Sequence, residues 1–189
     1  MLPGDLYRIQ AVAAQVQHHR QGEDYWAICA ALQLYSRARC WSIWARVWSV
    51  LAGRSRSLLD LDAVRATGAL TSGHHGGMRS VPIDLIRGTE GRCHDFDVGF
   101  WPLRSLCRER WVRIAAARLM RTPLPPVVLA LVGDYYFVMD GHHRVSVARA
   151  LGQTEIDAEI TVYGFAGSLP WGPAVTADNV AFSRQAARA

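Results

Sequence analysis

The stretch from Tyr135 to Gly152 constrains the fold more than any other part of the chain. Tyr135–Met139 is an apolar run with strand character, Asp140-Gly141-His142-His143-Arg144 is a turn, and the residues up to Leu151 read as a short helix closed by Gly152. A turn that opens a helix presents unpaired backbone N–H groups and the positive end of the helix dipole. Two histidines and an arginine at that point make an anion site, and the usual biological anion is a phosphate. The plain alternative is a solvated helix start that binds nothing.

The rest of the chain bounds what such a turn can belong to. At 189 residues, half of them hydrophobic and a fifth charged, it suits one domain, or one domain with a helical extension. All 21 permanent cations are arginine, a side chain that pairs with phosphate bidentately. The net charge of +5 favours an anionic partner without requiring nucleic acid. Cys29, Cys40, Cys93 and Cys107 form no Cys-x-x-Cys pair, and none of the His-His pairs at 18–19, 74–75 and 142–143 has ligands at zinc spacing, so no metal site is expected. The first 20 residues lack the pattern of a signal peptide, and Arg37, Arg39 and Arg46 interrupt the apolar region from Trp26 to Leu51. A reducing cytoplasm is the simplest compartment.

Periodicity divides the chain. Residues 1–70 read as a helical extension: one helix over Gln10–Arg20, a break at Gly22, a second ending at Gly53, and a third capped near Ser57. Trp41, Trp44, Trp48 and Leu51 recur at helical spacing. Core packing is the plain reading of that stripe; a homodimer interface or a membrane surface is the alternative. Residues 71–78 read as a linker. Over 79–165 the pattern is strand (Val81–Ile86), irregular loop (Gly88–Pro102), arginine-rich helix (Leu103–Met120), two strands (Val127–Val132 and Tyr135–Met139) joined at Gly133-Asp134, helix (His142–Leu151), and a last strand (Ile156–Tyr163). Residues 166–189 read as a turn-rich, partly disordered tail. The fold class is therefore mixed α/β (α+β), with a β-loop-α-β-β-α-β core behind a helical N-terminal extension.

That order, with three motifs, resembles the ParB/sulfiredoxin superfamily. Ser80–Ile86 resembles its first strand and Leu124-Pro125-Pro126-Val127-Val128-Leu129 its proline-then-strand segment. Asp140-Gly141-His142-His143-Arg144 stands where ParB proteins carry Gly-Glu-Arg-Arg and sulfiredoxins carry Gly-Cys-His-Arg. The layout is similar to that of short actinobacterial-type ParB-like proteins. The resemblance implies a bound nucleotide (ATP, ADP or CTP, with Mg²⁺), its phosphates held by Asp140, Gly141, His142, His143 and Arg144, with Arg92 available for a second phosphate. His142 stands in place of the sulfiredoxin cysteine, so sulfinic acid repair is not expected. The residues after Tyr163 are turn-rich and carry no helix-turn-helix pattern, so centromere clamping by this chain alone is not expected either.

Two functions follow from the resemblance. One is a nucleotide-binding regulatory module acting with DNA or a protein partner through the arginine-rich and tryptophan-rich helices. The other is a nucleotide-dependent small-molecule kinase of the ParB-like free-serine kinase type. It would use Glu90 as base, with Asp95 and Asp97 as competitors for that role.

Overall fold

The computed structural model describes residues 3–51, 53, 57–67, 70–104 and 108–166. Its scaffold is a six-stranded mixed sheet in the order β1-β3-β5-β4-β6-β2. The strands are β1 (Leu59–Asp60), β2 (His74–Pro82), β3 (Ile86–Thr89), β4 (Val127–Val132), β5 (Tyr135–Asp140) and β6 (Glu155–Tyr163). The helices are α1 (Pro3–Leu51), α2 (Leu61–Ala66), α3 (Arg108–Leu119) and α4 (His142–Ala150).

The centre of the sheet follows directly from local chemistry. Gly133 at φ +60° turns β4 into β5, with Val132 opposite Tyr135 in an antiparallel register. Side chains then alternate between two faces. On one face Val127, Leu129, Tyr136 and Val138 pack with Phe96, Phe100 and the Val145 and Ala148 side of α4. On the other, Ala130, Val132 and Phe137 pack on Leu61 of α2.

The structure corrects the sequence reading at the edges. The strand expected over Val81–Ile86 is two strands on different parts of the sheet. Pro82 has no N–H to donate, and a 3₁₀ turn at Ile83–Leu85 carries the chain from β2, paired with β6, across to β3, paired with β5. β3 was hidden because Gly88 reads as a loop residue. It lies in the sheet because only a residue without Cβ lets the Phe137 ring lie against it: a Cβ there would stand 2.1 Å from Phe137 Cδ1. The linker expected over 71–78 is largely the start of β2, whose His74 pairs with Val162. The extension expected over 1–70 contains β1 and α2, which belong to the sheet unit. Its third helix is capped by Asp60, which accepts from the Asp62 N–H, and not near Ser57. The arginine-rich helix runs from Arg108, and Leu103 and Arg104 before it are not helical. The tail expected over 166–189 lies, from residue 167 on, outside the described residues.

The N-terminal helices are also one. α1 continues through Gly22, since a single glycine costs a helix only about 1 kcal/mol. α1 docks on α3 through small residues. Ala27, Ala31 and Ala38 are buried against Ala115 and Ala116, and Tyr35 meets Trp111 edge-on with ring centres 5.4 Å apart. Close approach is open to the alanine face and closed to a tryptophan face, so the stripe of Trp41, Trp44 and Trp48 is exposed and not in the core.

Trp111 ties this layer to α4: its indole N–H donates to Ser146 Oγ at 2.8 Å, both side chains fully buried. Trp111→Phe is expected to destabilise the fold by about 2 kcal/mol in urea denaturation, because Ser146 keeps its desolvation cost and loses its partner. Adding Ser146→Ala removes that stranded hydroxyl and is expected to recover part of the loss.

Candidate functional site at the start of α4

β5 ends at Asp140, and Gly141 (φ +93°) reverses the chain into α4, whose first turn is sealed by Val145 N–H donating to the Gly141 carbonyl. A Cβ at Gly141 would be strained in this left-handed conformation and would stand 2.7 Å from Val127 Cγ1. Among the described residues no side chain caps the helix, and its first turn holds no acid, so no side chain takes up its first N–H groups. They face a small hollow of about 40 Å³, bounded by residues 140–144, by Arg92 from the loop after β3, and by Arg110 and Ile114 from α3.

Both histidines are buried. His142 Nε2 is 2.6 Å from Thr89 Oγ1, and its ring is nearly parallel to that of Phe96. His143 packs edge-on against the same Phe96. The loop carrying Phe96 is fixed from within, because Asp97 accepts from the Gly99 and Trp101 N–H groups, each at 2.9 Å. His143 Nδ1 is buried and has no hydrogen-bond partner among the described residues. A buried polar atom in that state needs an account, and a ligand is one.

Burial, reinforced by Arg92 and by the neighbouring His143, lowers the His142 pKa to about 4. Burial, with Arg110 and Arg92, lowers that of His143 to about 4 as well. Both imidazoles are therefore neutral at pH 7, and the positive charge that biases them comes from Arg92 and Arg110. Neutral rings offer one donor and one acceptor each, so His143 Nδ1 can serve either role.

The other sequence-predicted residues are placed differently. Arg144 donates to the carbonyls of Pro125 (2.6 Å) and Pro126 (2.7 Å) and to Asp140 Oδ2 (2.6 Å). It latches the proline segment before β4 onto the helix start, and its charge is already paired. Glu90 is ion-paired with Arg65 of α2 and does not border the hollow. Asp95 pairs with Arg92 and Arg104. Arg110 is the contributor that the sequence did not single out. It is one of several arginines in α3, and nothing in their spacing marks the one that meets α4.

No family model and no curated protein matches the sequence. Among solved structures, sulfiredoxin from Arabidopsis thaliana is similar at 19% identity, over 46% of this chain and 86% of that one, with a TM-score of 0.35. Among the described residues, no helix is long and apolar enough to cross a membrane.

Proposed function

We propose that this protein is a nucleotide-binding regulatory module whose phosphate group lies at the start of α4. The observation that carries the reading is His143 Nδ1, buried without a partner among the described residues at an uncapped helix N-terminus, beside Arg92 and Arg110. The backbone N–H groups of the first turn hold one set of phosphate oxygens, the imidazole a further one, and the two guanidinium groups neutralise the charge. The two carboxylates nearest the histidines, Asp140 and Asp95, are each paired with arginine. Mg²⁺ therefore arrives as the nucleotide's own counter-ion and takes no ligand from these side chains. Occupancy bridges the loop after β3, α3 and α4. Because α3 is the platform for α1, ordering that bridge changes how the helical layer engages DNA or a protein partner.

Calorimetry with ATP, ADP, CTP and GTP, each with Mg²⁺, tests this. Arg92→Ala or Arg110→Ala is expected to weaken binding roughly 10- to 100-fold, the worth of one charge-assisted hydrogen bond. Arg144→Ala is expected to lower folding stability, since it releases the proline segment. Glu90→Gln is expected to leave binding intact. Absence of saturable binding to all four nucleotides would sink the proposal.

A further inference from the structure

The last turns of α1 carry an apolar surface that the fold leaves uncovered. Successive helical residues are about 100° apart, so Trp41, Ile43, Trp44, Val47, Trp48, Val50 and Leu51 fall within one half of the helix circumference. The buried residues Ala27, Ala31, Tyr35, Ala38 and Ser42 occupy the opposite half, against α3. Trp41, Trp44 and Trp48 are 65%, 63% and 67% exposed. The three tryptophans leave roughly 500 Å² of apolar surface open, and the aliphatic side chains bring the patch to the order of 900 Å². The largest patch on a typical monomer is about 300–600 Å².

From this surface we infer that the chain forms a homodimer through the outward face of α1. Two observations favour a second copy. The exposed area matches the roughly 800 Å² per partner of a stable protein interface. The central line of the face, Cys40-Trp44-Val47-Leu51, runs at alternating spacings of four and three, the seam along which helices pair with helices.

Sedimentation equilibrium of the full chain reads the assembly. The wild type is expected at twice the 21.0 kDa chain mass, and Trp44→Glu/Trp48→Glu and, separately, Val47→Arg at the chain mass. These side chains are exposed in one copy, so circular dichroism of the variants is expected to keep the helical signal. Dilution of the wild type gives a reading free of substitution: tryptophan emission shifts to the red as the dimer dissociates. A wild type that stays monomeric at tens of micromolar overturns the inference. If that monomer then floats with phosphatidylserine–phosphatidylcholine vesicles, the face belongs to lipid. A dimer untouched by both variants overturns it as well, by placing the interface elsewhere.

Discussion

Gly88→Val is expected to destabilise the protein by about 3 kcal/mol or more, a large share of what holds a domain of this size folded. The ring that would be struck, Phe137, is fully buried among Leu61, Ala130 and Val132 and has no open side to move into. The second obstacle is backbone: the Leu59 carbonyl oxygen would stand 2.9 Å from the new Cβ, so sliding β3 away from β5 drives it into β1. Urea denaturation at pH 7.5 measures the loss. Adding Phe137→Leu to Gly88→Ala supplies the control. If the collision is the cause, the double variant is less destabilised than the two single losses added together. Strict additivity would show that Gly88 is needed for some other reason.

A side chain at position 88 also reaches the site. Thr89 follows Gly88, and its hydroxyl meets His142 Nε2. Displacing β3 therefore frees the ring that Phe96 and Thr89 hold. Nucleotide affinity of Gly88→Ala is expected to fall with its stability, although residue 88 does not border the hollow.

What could be read from the sequence was what is local. The hairpin at Gly133-Asp134, strands β4 and β5, the glycine turn and α4 each depend on residues within a few positions of one another, and the pattern placed them. What escaped depends on residues far apart. β3 reads as loop because the ring that requires Gly88 lies 49 positions on. The tryptophan stripe has the periodicity of a buried face, and only the alanines opposite it decide which face α3 can approach. The site divides in the same way. Gly141, His142 and His143 are contiguous, and their chemistry is visible as a string. Arg144 has the right charge, but the carbonyls of Pro125 and Pro126, 19 and 18 residues earlier, claim its donors. Glu90 has the right chemistry for a base, yet Arg65, 25 residues earlier, pairs with it. Arg110 becomes special only where α3 crosses the start of α4.

Stability is expected to fall as pH drops from 6.5 to 4, and the two histidines are the reason. Each has a folded-state pKa of about 4 against an ordinary value of 6.5. Between those limits the unfolded chain binds protons that the folded chain refuses, so acid favours unfolding. The contribution is complete above pH 6.5, declines as pH falls, and is gone near pH 4. A gap of that size corresponds to about 3 kcal/mol for one ring. Thermal melts between pH 7.5 and 4.5 should show it, and His142→Gln/His143→Gln should flatten the slope even though the variant starts from lower stability. An anion in the hollow opposes the lowering at His143, because a negative charge beside Nδ1 favours the imidazolium that burial, Arg110 and Arg92 disfavour. Binding then takes up a proton. Sulfate keeps a constant charge over this range and isolates the effect. Its affinity is expected to rise between pH 7 and 5.5 in the wild type and to stay level in His143→Gln. Equal slopes in the two proteins would mean that the anion does not lie against His143.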